Sequence, residues 1–391
     1  MNVKRIYIKQ ICALIVMFIL LSHAAIVFEH FLPLAIFFSA ARYLCFICVA
    51  VVYLKQPKFS WFEGLWLIFF VWLLLTTILG RGVVAHVIGS AIDLSILMMM
   101  FNIYRDDLQI LLKAILVVLS FYIYLNFLLL IKYPLGIWID PISLNGYYLL
   151  SGNYNGMGAR FICAMTTNLI LIRYNKNVFY RFNFILLIVI SFGSALIVGS
   201  MTTLASMLIL LILWMCAKSK QHKKVVIAFF ILYIVVQIVV VFTLSDLSNS
   251  KLVVYIVQNI MHKNLTFTSR SFLWANSADL IAQSPFLGYG FQDKVWNALH
   301  MNGPGAHNFV YTILLYGGFP LLILFISIII YSIRRAYHSG ETDNVLSYIF
   351  MGTNVLFFMM IFEYYTFFLI AYMILLINFY PEIRRNGIEN G

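Results

Sequence analysis

Two side chains stand out for chemistry in an otherwise apolar chain, Arg270 and His307. They bracket a stretch that reads SRSFLWANSADL, then SPFLGYGF, then GPGAHNFVYTILLYGGFP, most of it in the one long polar excursion of the sequence. A guanidinium offers a planar, permanently charged fork that matches phosphate oxygens, which a flexible lysine does less well. An imidazole titrates near neutral pH and can take a proton from a hydroxyl. Between the two, Pro285, Gly288 and Gly290 break the chain, and Asn302-Gly303-Pro304-Gly305 makes a second corner. Thr268 or Ser269 is a fitting N-cap for a helix that starts near Arg270. Each residue also has an ordinary reading. Arg270 suits the exposed start of any helix, and His307 suits a helix cap at a membrane interface. Asp279, in the same helix as Arg270, reads as solvated or structural. His300 and His307 have no companion carboxylate or cysteine at ligand spacing, so neither a metal nor a cofactor is expected.

The elements that must hold these residues are membrane helices. The chain has 391 residues, 63% hydrophobic and only 10% charged, with a mean hydropathy of +0.96. Soluble domains carry about 25% charged residues, so an ordinary soluble fold is excluded. Apolar runs near 20 residues recur, long enough for roughly 30 Å of hydrocarbon, and they lack the period-two alternation of a barrel. The expected fold is an all-α polytopic membrane protein with about 12 spans, near 10–28, 34–54, 62–80, 86–103, 108–131, 158–173, 183–199, 202–217, 225–245, 307–331, 345–362 and 365–380. With the N-terminus cytoplasmic, 18 of the 26 Lys and Arg residues fall inside, as the positive-inside rule requires. The net charge of +12 therefore reports orientation and contact with anionic lipid, and nucleic acid is not an expected partner. Residues 1–391 read as one transmembrane domain, with outer loops at about 132–157 and 246–306 and both termini cytoplasmic.

Several local features have plain explanations. The first span follows a basic N-terminus, but Ser22-His23-Ala24-Ala25 is a poor cleavage match and the run is long for a signal peptide. Cys45 and Cys48 form a C-x-x-C inside an apolar helix and read as small packing residues. In the first outer loop the tyrosines and tryptophan suit an interfacial belt, and beside asparagines they also suit carbohydrate. Lys251 to Lys263 is an apolar stretch with basic ends that suits an interfacial helix. Arg42 and Asp93 are intramembrane charges, hence functional candidates or a buried pair. Glu363 falls at an outer helix end, as ordinary surface or as the rim of a cleft. Leu287-Gly288-Tyr289-Gly290 follows Ser284-Pro285-Phe286 and lacks the carbonyl ladder of a potassium filter. No internal repeat of the kind common in transporters is visible.

Arg270, Trp274, Pro285, Gly288, Gly290, His307, Asn308 and Gly317-Gly318 together resemble the O-antigen ligase and Wzy-type polysaccharide polymerase superfamily. The shared pattern is an arginine-led helix in a large outer loop, then P-x-x-G-x-G, then His-Asn opening a glycine-bearing span. It covers about 50 residues, and Gly152-Asn153-Tyr154-Asn155-Gly156 adds a weaker match. One departure is Gly199-Ser200-Met201-Thr202, where many relatives carry an arginine, so the second lipid-phosphate arginine is missing at Met201.

The resemblance implies a membrane-embedded glycosyltransferase acting on undecaprenyl-pyrophosphate-linked oligosaccharides at the outer face of the bacterial cytoplasmic (inner) membrane. It implies His307 as base and Arg270 on the pyrophosphate, with Asn308 orienting a sugar or the imidazole. Asn155 and Tyr289 are further substrate-binding candidates, and Arg160 stands in for the missing arginine. Membrane lipid, a chain-length regulator and a flippase are the expected partners. Short cytoplasmic ends, no added soluble module and the missing arginine favour a capsule, O-antigen or exopolysaccharide repeat-unit polymerase. The alternatives are a ligase that passes finished polymer to an acceptor, or a lipid-linked oligosaccharide flippase.

Overall fold

The computed structural model describes residues 3–22, 32–55, 57–139, 147–149, 152–153, 156–175, 177–216, 227–237, 270–338, 343–363 and 367–390. The helices run in order α1 Val3–Ser22, α2 Leu32–Leu54, α3 Trp61–Leu79, α4 Val84–Ile103 and α5 Leu108–Lys132. A small antiparallel ribbon follows, β1 Trp138–Ile139, β2 Tyr147–Leu149 and β3 Gly152–Asn153. Then come α6 Gly156–Tyr174, α7 Val178–Val198, α8 Met201–Cys216 and α9 Ile227–Gln237. The last group is α10 Arg270–Gln283, α11 Lys294–Met301, α12 Phe309–His338, α13 Asn344–Met359, α14 Phe367–Asn378 and α15 Tyr380–Asn390.

Six helices (α2, α3, α4, α5, α7 and α12) are long and apolar enough to cross a membrane among the described residues. The pair α14 and the start of α15, bent by 60°, would make a seventh. A described helix overlaps each of the twelve stretches expected from the sequence, but α8 and α13 have 16 residues each. At 1.5 Å per residue they reach about 24 Å, short of the roughly 30 Å hydrocarbon core. Length and apolar character together identify six or seven spans among the described residues.

Packing follows the distribution of apolar faces. Helix α14 is apolar all round and almost wholly buried, as such a helix must be. Helix α6 sits centrally against α5, α7, α8 and α13. At the other extreme α2 leaves Ile36, Phe37, Leu44 and Ile47 exposed and turns only a narrow face inward. On that face Arg42 reaches Asp93 of α4, Nη1 to Oδ2 at 3.4 Å. The intramembrane charges thus pair with each other between helices. Helix α3 begins with a capping box, the Ser60 amide donating to Glu63 Oε2 at 2.8 Å. Its Phe69 then packs edge-on to Phe367 of α14 and close to Phe325 of α12.

What positions the candidate site is a break in α12. Gly317 (φ −155°, ψ 19°) and Gly318 (φ 64°, ψ −165°) interrupt the helix, and Pro320 follows. The carbonyls just before the break therefore lose their helical donors, and Pro320 has no N–H to give. The loop 285–291 replaces them. Tyr289 N–H donates to the Leu315 carbonyl at 2.6 Å, and Gly290 N–H to Tyr316 at 3.1 Å. Helix α3 supplies the rest: Thr76 Oγ1 to the Tyr316 carbonyl at 2.8 Å and Trp72 Nε1 to Gly317 at 2.8 Å. In return, Phe319 N–H donates to the Pro285 carbonyl at 2.8 Å. On its other flank the loop is held by Phe291 N–H to Thr77 Oγ1 (2.9 Å) and Val83 N–H to the Phe291 carbonyl (2.8 Å).

Glycine is required where these backbones touch. Gly290 has φ +74°, and a Cβ there would lie 2.3 Å from the Thr77 Cα. Gly318 has φ +64°, and its Cβ would lie 2.4 Å from the Pro285 carbonyl oxygen. The motif P-x-x-G-x-G and the Gly317-Gly318 pair are two halves of one joint. Gly290→Ala should cost about 3 kcal/mol or more, from left-handed backbone strain plus a backbone clash. Gly199→Ala is the control: it also has positive φ (+68°) but meets nothing within 4 Å, so it should cost about 1–2 kcal/mol. Thermal unfolding of the two variants in detergent checks the difference. Equal midpoints would refute the joint.

Candidate active site

Beside this joint lies a cleft of 450 Å³. One wall is the start of α4, with Val83 and His86, and another is the loop from Tyr289 into α11, with Asp293, Lys294 and Trp296. The segment before α12, from Pro304 to His307, closes a third side, and Tyr316 and Glu363 complete it. Aromatic rings line much of it. Tyr289 and Trp296 have ring centres 5.2 Å apart, and His86 stacks on Phe291 at 5.0 Å with 17° between planes.

His307 reaches the cleft with a left-handed backbone, φ +47°. Such a conformation costs a non-glycine residue about 1–2 kcal/mol, so the surroundings must impose it. They do so through the next residue. Asn308 is fully buried and caps α12, its Oδ1 accepting from Tyr311 N–H at 3.1 Å. The Asn308 Nδ2 donates to the Ile361 carbonyl at 3.1 Å, and Phe309 N–H to Met360 at 3.0 Å. The amide also pairs with Gln237 of α9, Gln237 Nε2 donating to Oδ1 at 3.2 Å. Asn308 thus ties the entry of α12 to the end of α13 and to α9. The same end of α13 carries Glu363, whose Oε2 lies 3.2 Å from His307 Nδ1. The Glu363 side chain is 5% exposed and that of His307 28%.

The other expected site residues fall as follows. Tyr289 lines the cleft, and its hydroxyl donates to the Leu280 carbonyl at 3.1 Å. Burial pushes that hydroxyl above its ordinary pKa, which keeps it a donor. Arg270 is the first residue of α10, and its side chain lies outside the described part of the structure, as does all of Asn155. Arg160 is not brought to the cleft: its guanidinium neighbours Tyr122 of α5 and Cys163 of its own helix. Asp279 is exposed. His300 is exposed and stacks on Trp296 at 4.2 Å. Among the described residues no three of His, Cys, Asp and Glu converge as a metal site.

Residues 186–326 match the family model described as O-antigen ligase. The resemblance is to the O-antigen ligase and Wzy-type superfamily. No curated protein matches the chain. The O-antigen ligase match runs from within α7 into the second half of α12 and includes the loop of the joint, α11 and His307. His86 and Glu363 lie outside it. His86 was not singled out by the sequence, since a lone histidine at the start of an apolar helix carries no spacing signal. Glu363, read from the sequence as ordinary surface or the rim of a cleft, does line the cleft, while its pairing with a histidine 56 residues away has no local signal.

The tie made by Asn308 gives a stability prediction. Asn308→Ala removes a cap and strands buried partners, and should cost about 2–3 kcal/mol. Tyr289→Phe removes one partly buried hydrogen bond and should cost about 1 kcal/mol. Thermal unfolding in the same detergent ranks the two, and the opposite order would contradict the geometry.

Proposed function

We propose that the chain is a membrane-embedded glycosyltransferase that polymerises oligosaccharide repeat units carried on undecaprenyl pyrophosphate. The observation that carries this reading is that the segment matching the O-antigen ligase family folds into a cleft with His307 on its wall. In this reading the end of the bundle bearing α10 and α11 faces outward, the chain crosses the cytoplasmic membrane twelve times, and the two termini are cytoplasmic.

The chemistry needs no cofactor. The acceptor sugar hydroxyl gives its proton to the His307 imidazole while its oxygen forms a bond to the donor's anomeric carbon. The bond from that carbon to the pyrophosphate oxygen breaks, and its electron pair leaves with the lipid pyrophosphate. Arg270 at the start of α10 pairs with that departing charge, which grows in the transition state and is therefore where a fixed cation is worth most. Tyr289 and Trp296 offer ring surface to a pyranose, and Asn308 acts by fixing the His307 backbone. Asn155 retains its assignment to the substrate side. Arg160 retains its assignment as a second phosphate contact, although it faces Tyr122 and not the cleft.

A polymerase passes the growing chain to a new lipid-linked unit, whereas a ligase passes finished polymer to another acceptor. Met201, exposed at the start of α8 where relatives carry an arginine, favours the polymerase. Deletion and restoration of the gene, followed by a glycan gel, tests the reading. Loss of the long ladder with single units still reaching their final anchor is expected. Long polymer retained on the isoprenoid carrier would mean ligase, and an unchanged profile would sink both and favour a flippase. His307→Ala and Arg270→Ala should insert normally yet restore no ladder. A full ladder from Arg160→Ala would confine the phosphate contact to Arg270.

A further inference from the structure

We infer that Glu363 is a positioning residue for His307, holding its imidazole in one tautomer and one orientation. The inference rests on the glycosyl-transfer reading of the cleft. Its basis is geometric. His307 Nδ1 lies 3.2 Å from Glu363 Oε2, and a carboxylate oxygen can only accept. Nδ1 therefore carries the proton, and the acceptor lone pair of the neutral ring sits on Nε2, the nitrogen not engaged by the carboxylate. That is the protonation state a base needs.

Three further observations make the contact a built one. Glu363 is 3% exposed, so its charge is poorly screened and its partner matters. Its backbone N–H donates to the Met359 carbonyl at 3.1 Å, which continues the last turn of α13 and fixes the carboxylate's origin. The neighbouring carbonyls of Met360 and Ile361 are the ones that hold Phe309 and Asn308. Both partners of the His307–Glu363 contact thus hang from one hydrogen-bonded knot, and the left-handed φ of His307 is what turns its ring onto the carboxylate from that knot. After proton transfer the imidazolium is paired with the carboxylate, so the charge developed on the base is compensated at once. The proton taken from the acceptor hydroxyl sits on Nε2 until the ring gives it up to water or departing phosphate.

Other titratable groups face the same cleft: His86 from α4, Tyr289 from the loop, Asp293 and Lys294 at the start of α11, and Tyr316 from α12. None of these is hydrogen-bonded to His307 among the described residues. Glu363 is therefore the charge whose removal should be felt most at the imidazole.

The test uses full-length protein in membrane vesicles, supplied with lipid-linked repeat units extracted from the deletion strain, with polymer formation followed from about pH 5 to 9. Glu363→Gln keeps the shape but not the charge, and its amide can donate to Nδ1 and invert the tautomer. It should lower the maximal rate about 10- to 100-fold, a part of what a well-placed general base supplies, with little change in KM. Glu363→Asp keeps the charge on the same face and should recover much of the rate, whereas a merely space-filling role would be kept by the isosteric Gln and lost in the shorter Asp. A Glu363→Gln rate close to wild type, or Glu363→Asp slower than Glu363→Gln, overturns the inference. If Glu363→Gln does not accumulate, Glu363→Asp decides: a rate no better than that of His307→Ala would overturn it. His307→Ala run alongside separates the two levels, since activity surviving in that variant refutes the glycosyl-transfer reading itself.

Discussion

A broken helix in an apolar surrounding must find donors for the carbonyls it frees, and everything near the cleft depends on how this chain meets that demand. Each unsatisfied backbone group in hydrocarbon costs several kcal/mol, so irregular backbone is tolerated there only when protein covers and pairs it. In α12 the carbonyls of Leu315, Tyr316 and Gly317 are served by Tyr289, Gly290, Thr76 and Trp72. The loop between α10 and α11 is accordingly a structural member of the bundle, wedged between α3 and α12. Its placement sets where Tyr289 and the start of α11 stand, and so sets one wall of the cleft. The opposite wall is set by a separate knot at Asn308, which joins α9, α12 and the end of α13.

Parts of this arrangement were legible in the residues themselves. Gly288 and Gly290 mark a place where the chain breaks, Gly317-Gly318 stand out only through the family pattern, and both pairs lie within the matched segment. The break of the tenth expected span was not foreseen, because glycines in an apolar run do not reveal whether a helix merely tolerates them. The intramembrane charges Arg42 and Asp93 were recognised as either functional or mutually paired, and their hydrogen bond is the second of these. Arg160 was placed by its sequence position near an outer loop, yet which side of α6 it occupies is a matter of helical phase. Gly158 contacts Met359 and Thr203, toward α13 and α8, and two residues on, about 200° around the helix, Arg160 faces α5.

Glu363 shows why long-range pairs escape a single sequence. Nothing local distinguishes it from a carboxylate at the end of a membrane helix. Its meaning comes from the approach of α13 to the entry of α12, which is fixed by Phe309, Asn308 and two carbonyls. The number of spans illustrates the opposite limit. Hydropathy read as twelve segments, while α8 and α13 are shorter than a bilayer and owe their burial to neighbours. Apolar character and span length are separable quantities, and only the first is written in composition.

The pairing at the α12 break has one more consequence, and it concerns motion. The loop 285–291 cannot swing away to admit a bulky glycan without cost, because leaving would strand the Leu315 carbonyl, take one of two donors from Tyr316 and orphan the Phe319 N–H. The loop, the C-terminal part of α3 and the break of α12 are thereby held together as one wall. On the other side of the cleft the corner 302–305, with Asn302 and Gly305 at positive φ, joins α11 to His307 and is tied back to α11 by Asn297 Nδ2 donating to the Pro304 carbonyl at 3.2 Å.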